Sequence, residues 1–195
     1  MKFLENLSDK VLPTLFWLCI MLAFDSLSVS ILTLISALVH EWGHILFASL
    51  VKRGDISLPR ATLLGLKIDT GRLLSYKEEV MTALGGPLIN LVIFVLTLPF
   101  FGGSEYIFTF GIINLFTALT NLLPIRGYDG ERIIRSLLSE KFSPAAAEGV
   151  TGVLTLICSG LLSVISLLLI MLVGEGYWIF GFFFSVLLSE VLKKH

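Results

Sequence analysis

The chain has 195 residues, of which 55% are hydrophobic and only 15% charged, and its mean hydropathy is +0.92. Soluble domains run at about 45–50% apolar and about 25% charged, so the composition excludes a disordered chain and argues against a water-soluble globular one. A formal net charge of -1 gives nucleic acid no electrostatic footing. The two cysteines, Cys19 and Cys158, each lie inside an apolar run and define no disulfide framework.

An apolar helix of about 20 residues crosses about 30 Å of hydrocarbon. Six runs approach that length: Val11–Phe24, Leu27–Val51, Val80–Phe101, Tyr106–Leu123, Thr151–Val173 and Tyr177–Leu192. The first is short and is cut by Asp25 and Ser26. It does not read as a signal peptide, because Lys2 and Lys10 are balanced by Glu5 and Asp9 and no A-x-A site follows. The last two runs are joined by a tight Gly174-Glu175-Gly176 turn. Between the second and third, Asp55–Tyr76 contains Ala61–Leu64 and Leu66–Ile68 around Gly65, a pattern of short strands and turns. Between the fourth and fifth, Arg126–Gly149 is more polar, and Pro144 with the three alanines after it predicts the start of a short surface helix.

The basic residues test this layout independently. If the N-terminus, the loop after the second span, the loop after the fourth and the C-terminus share one side, that side holds all 14 Lys and Arg of the chain. By the positive-inside rule both termini and the two long loops are then cytoplasmic. The expected architecture is an all-α polytopic membrane protein of about six transmembrane helices, with a small β-like element between spans two and three. Residues 1–195 form a single membrane domain in this reading, without internal repeats.

The sharpest chemical signal is His40-Glu41-Trp42-Gly43-His44 within the second run. On a helix, positions i and i+4 share a face, so both imidazoles reach one ion, and Glu41 beside them can hold and deprotonate a water that the metal activates. Ionisable groups in a lipid-embedded helix cost roughly 2.5–3.5 kcal/mol each on insertion scales and are usually functional. Gly43 lets another helix approach closely at that level. A catalytic zinc site normally takes three protein ligands and keeps one position open. The remaining histidine, His195, sits at the extreme C-terminus beside two lysines, which leaves a carboxylate as the third ligand. Asp129 is best placed, in a segment that leaves the fourth span through Pro124 and turns at Gly127 and Gly130. Spacing alone does not select it over Glu131.

The pair H-E-W-G-H and N-L-L-P-I-R-G-Y-D-G (Asn121–Gly130) resembles the motifs of the site-2 protease family, intramembrane zinc metalloproteases of which this would be a compact prokaryotic type. Gly85-Gly86-Pro87-Leu88-Ile89-Asn90 is similar to that family's G-P-x-x-N, and the three motifs occur in the family's order along essentially the whole chain. Arg126 stands where members often have a second Pro and Glu131 where they often have a second Gly. Neither a PDZ-like insert nor a nucleotide-sensing tail is recognisable. The resemblance implies one zinc ion held by His40, His44 and Asp129, Glu41 as catalytic acid/base, and Asn121 near the reacting carbonyl. It further implies that Asn90, Gly86 and Pro87 border the substrate. The implied substrate is a single-span membrane protein, cleaved in or near its transmembrane segment in the lipid of a prokaryotic cell membrane. Two simpler readings stand beside this for the third motif: Asn90 bonds between helices, and Gly85-Gly86-Pro87 only kinks one. A membrane protease acting on lipidated C-termini is a rival enzyme, but such proteins tend to supply a later glutamate as third ligand. A non-catalytic metal or substrate binder with the same ligands is the rival from another class, and it would have no need of Glu41.

Overall fold

The computed structural model describes residues 27–52, 60–62, 65–67, 74–174 and 177–192. Its elements are α1 (Leu27–Lys52), β1 (Arg60–Thr62), β2 (Gly65–Lys67), α2 (Tyr76–Thr97), a 3-10 turn (Leu98–Phe100), α3 (Glu105–Asn121), α4 (Asp129–Ser139), α5 (Pro144–Val173) and α6 (Tyr177–Leu192). The strands pair antiparallel, with Arg60 opposite Lys67 and Thr62 opposite Gly65. By length and composition α1, α2 with the turn that follows it, and α5 are apolar and long enough to cross a membrane. With 17 and 16 residues, α3 and α6 are about 24–26 Å long at 1.5 Å per residue, short of the hydrocarbon thickness. The run Val11–Phe24 and His195 lie outside the described residues.

Local chemistry accounts for the ends. Ser75 and Glu78 form a reciprocal cap at the start of α2: the Ser75 amide donates to Glu78 Oε2 at 2.8 Å and the Glu78 amide to Ser75 Oγ at 3.4 Å. Ser143 caps α5 by accepting from the Ala146 amide, with Pro144 in the first turn, where its missing N–H costs nothing. At the other end of α5, Gly174 takes φ +78°, the left-handed conformation that ends helices and favours glycine. The short surface helix expected from Pro144 is therefore the first turn of a continuous 30-residue helix. Nothing between Ser143 and Gly174 interrupts it, since isolated glycines such as Gly149 and Gly152 weaken a helix without breaking it.

The chain divides into two compact units. The first contains α1, the strands, α2 from Leu84 and α3 to Leu119. The second contains the start of α2 from Ser75 to Ala83, the end of α3 from Thr120, and α4 to α6. In each, many of the buried residues are small and polar. The buried residues include Ser36, Asn90 and Asn114 in the first unit and Thr151, Thr155, Ser159, Ser163 and Ser166 in the second. Large apolar side chains such as Leu27, Trp42, Met171 and Leu172 are exposed. That is the pattern of helices in lipid, where burying Leu gains little and close approach of small residues supplies the packing. The α5 hydroxyls are satisfied within their own helix: Thr155, Ser159 and Ser163 each donate to the carbonyl four residues earlier, at 2.9, 2.6 and 2.7 Å.

Candidate metal centre

On α1, His40 and His44 stand one above the other with ring centroids 4.7 Å apart and planes at 87°. Their Nε2 atoms converge to 3.1 Å. Glu41 is the next residue, about 100° further round the helix, and is half-buried.

The orientation of His40 comes from a chain of hydrogen bonds with a defined polarity. The Asn114 amide nitrogen donates to the Phe110 carbonyl at 2.8 Å, which leaves Asn114 Oδ1 to accept from Asn90 Nδ2 at 2.7 Å. Asn90 Nδ2 also lies 3.2 Å from Ser36 Oγ. With its nitrogen so committed, Asn90 presents Oδ1 to His40 Nδ1 at 2.7 Å. His40 therefore carries its proton on Nδ1 and its lone pair on Nε2, the tautomer required of a metal ligand. A main-chain carbonyl on α3 thus sets the tautomer of a histidine on α1. Ser36, which donates within 3.2 Å of both Asn114 Oδ1 and Thr117 Oγ1, closes the network.

Gly43 and Gly85 make the helix crossing that brings these groups together. A Cβ on either would collide with the other's backbone carbonyl. One residue further on, Gly86 faces the imidazoles: a Cβ there would stand 2.6 Å from Nε2 of both histidines. Only glycine leaves that side of the nitrogens open.

Asp129 is the first residue of α4, after Tyr128 in extended conformation (φ -96°, ψ 162°). It is buried. Arg132 Nη1 lies 3.5 Å from its Oδ1, and the first turn of a helix favours negative charge. The predicted turn at Gly127 is present, with φ +94°. Gly130, also expected to turn, is instead helical, and its reason is space: a Cβ there would meet the backbone of Leu122 and Leu123.

His40, His44 and Asp129 each offer one ligand atom, and these atoms all lie within 4.8 Å of one another. The other acidic candidate, Glu131, is buried too, but its Oε1 pairs with Arg135 Nε at 3.3 Å. The donor set fits zinc. Two imidazoles and a carboxylate are a catalytic ligand set, and two Zn–N bonds of about 2.0–2.1 Å at a tetrahedral angle separate the nitrogens by about 3.3 Å, close to the 3.1 Å found.

The third motif, expected to border the substrate, stands against the histidines. Asn90 is fully buried and bonded to a ligand, and Gly86 and Pro87 are buried against the helix crossing. Asn90 therefore acts through His40. Asn121 closes α3 and is half-buried. Sequence reasoning missed Asn114 and Ser36. The available signal was a second asparagine within an apolar run, seven residues before Asn121, where a polar side chain is rare and tends to be functional.

No protein-family model matches the chain. It is 28% identical over 120 residues to a zinc metalloprotease of Methanocaldococcus jannaschii, an alignment covering 57% of this chain and 34% of that protein. The chain thus spans about a third of the length of the curated relative it matches. Among solved structures it is similar to the site-2 protease from Methanocaldococcus jannaschii, with a TM-score of 0.60, 23% identity, and coverage of 95% of this chain and 88% of that one. The chain has the site-2 protease fold, and with its apolar helices it is an integral membrane protein.

Proposed function

We propose that this protein is a zinc-dependent intramembrane endopeptidase that hydrolyses a peptide bond in or near the transmembrane segment of a single-span membrane protein. The observation that carries the reading is the convergence of His40, His44 and Asp129 within 4.8 Å, with a glutamate next to His40. The similarity to a zinc metalloprotease and the site-2 protease fold support it. In this proposal the chain crosses the membrane six times with both termini cytoplasmic, as the segregation of its Lys and Arg suggests.

Zinc held by these three ligands supplies a Lewis acid that acidifies water and polarises a carbonyl. The protein's own groups do the rest. Glu41 takes the proton of the attacking water and later delivers it to the leaving amine. The Asn121 amide donates to the oxygen on which negative charge develops. Asn90 keeps the His40 lone pair directed at the cation. A helical substrate hides its carbonyls in backbone hydrogen bonds that lipid cannot replace, so its segment must unwind locally. The region 61–68, which contains β2 and most of β1, is suited to pair with the opened backbone as an added strand.

The test uses the purified full chain, with a single-span reporter protein in liposomes. Wild type is expected to hold about one zinc per chain and to cut. Glu41→Gln is expected to retain zinc and lose cleavage by at least about 100-fold, the scale of general acid–base catalysis. Asp129→Ala is expected to lose both. A Glu41→Gln variant that still cuts would remove the assigned base, and a wild type that holds zinc without cutting would favour the binder.

A further inference from the structure

Asp129 follows a non-helical segment that leaves α3 after Asn121. Within it, the Ile125 amide donates to the Leu123 carbonyl at 2.8 Å and the Tyr128 amide to the Ile125 carbonyl at 3.0 Å. Further fastenings come from α5 and α6. The Arg126 amide donates to Thr155 Oγ1 on α5 at 3.0 Å. The Arg126 guanidinium reaches Glu190 Oε1 on α6 at 3.1 Å through Nη2 and Glu148 Oε1 on α5 at 3.3 Å through Nη1. The Tyr128 ring stacks on Phe182 of α6, with centroids 6.4 Å apart and planes 17° from parallel.

The two carboxylates on Arg126 differ in kind. Glu148 is 65% exposed, whereas the Glu190 side chain is 7% exposed in an otherwise apolar helix. A buried carboxylate is costly to insert and to desolvate, and it persists where a partner needs it. Gly152 on α5 leaves space for the pair, because a Cβ there would stand 3.1 Å from Glu190 Oε1 and 3.6 Å from Arg126 Nη2. Phe182 and Glu190 are eight residues apart, slightly more than two helical turns, and so share one face of α6. That face grips the segment on both sides of Gly127, at Arg126 and at Tyr128.

We infer that α6, which contributes no ligand to the candidate centre, positions the third one: Glu190 acting through Arg126, and Phe182 acting through Tyr128, hold Asp129 at the distance the metal requires. Glu190, Arg126 and Phe182 are positioning residues, and the inference rests on the reading of Asp129 as a zinc ligand. Groups that orient a metal ligand typically change affinity by about 10–100-fold when removed.

The experiment titrates the purified full chain with cobalt(II), whose visible absorption reports ligand geometry as well as occupancy. Glu190→Gln is expected to bind cobalt about 10-fold or more weakly, with an altered absorption band. Phe182→Leu, which leaves every charge in place, is expected to shift affinity in the same direction by a smaller factor. The exchanged pair, Arg126→Glu with Glu190→Arg, is expected to recover most of the loss. Leu187→Ala is the packing control, since Leu187 Cδ1 faces Gly160 of α5, 3.9 Å from where a Cβ there would stand; it should bind cobalt as wild type does, whatever it costs in thermal stability. A Glu190→Gln variant with wild-type affinity and spectrum, or a Leu187→Ala variant weakened as much as Glu190→Gln, overturns this inference alone. A wild type that takes up no cobalt, or an Asp129→Ala variant that binds like wild type, overturns the metal-site reading and this inference with it.

Discussion

The two histidines and the aspartate of the candidate centre are held by different physics. Behind His40 runs a chain of neutral, internal hydrogen bonds: amide to amide to imidazole, ending on the Phe110 carbonyl. Around Asp129 the fastenings include ion pairs, an aromatic stack and a hydroxyl that accepts a backbone amide. A helix already brings i and i+4 together, so the pair needs little more than an open side, which Gly86 leaves, and for His40 the tautomer that Asn90 sets. A ligand that follows a loop has no such periodicity behind it, and stronger, longer-reaching contacts have to replace it. Low dielectric strengthens both kinds of contact and raises the cost of leaving either incomplete.

The sharpest way to break this comparison is at its neutral end. Asn90→Ala should weaken zinc binding by about 10–100-fold, because His40 loses the acceptor that fixes its proton on Nδ1; chelator competition on the purified variant measures it, and an unchanged affinity would detach the network from the metal. Gly43→Ala forces a methyl group into the Gly85 carbonyl. Overpacking of this kind costs about 1–3 kcal/mol, read as reduced thermal stability in detergent, with metal affinity falling as the helix crossing opens.

At the other end, burial pushes the Tyr128 phenol up to about 12 from an ordinary 10.0. The folded state therefore holds this proton more tightly than the unfolded chain. The resulting stability is fully present below pH 10 and is lost as pH rises through about 12. Tyr128→Phe should remove that part of the alkaline stability loss, and the phenolate absorbance that rises near pH 12 should disappear with it. The smallest effect is expected at Glu148, which shares Arg126 with Glu190 but is largely exposed. Glu148→Gln should cost less than about 1 kcal/mol and leave cobalt binding unchanged, in contrast to Glu190→Gln.

Much of this centre was legible in the chain. The spacing of His40 and His44 states a shared helix face, and the three apolar runs at Leu27–Val51, Val80–Phe101 and Thr151–Val173 correspond to the long helices α1, α2 and α5. Gly43 marked a close helix approach, and Gly85 is its partner. Other features were misread because their cause is not local. Asp129-Gly130 has the composition of a turn, yet it opens α4, and Gly130 is small to clear Leu122. For Asn90 both a substrate contact and a bond between helices stood open in the chain, and its bond to His40 is visible only in the structure.

The division has a physical basis. Periodicity, capping and hydropathy act over a few residues, so the sequence by itself determined that apolar helices form, that one begins at Pro144, and that His40, Glu41 and His44 ride on one. Whether Asp129 or Glu131 meets the histidines, which atom of Asn90 faces His40, and why a buried Glu190 sits in an apolar helix depend on contacts between residues 24 to 89 positions apart. Pattern carries no information about such pairs. They are decided only when packing sets which polar groups must satisfy one another away from water.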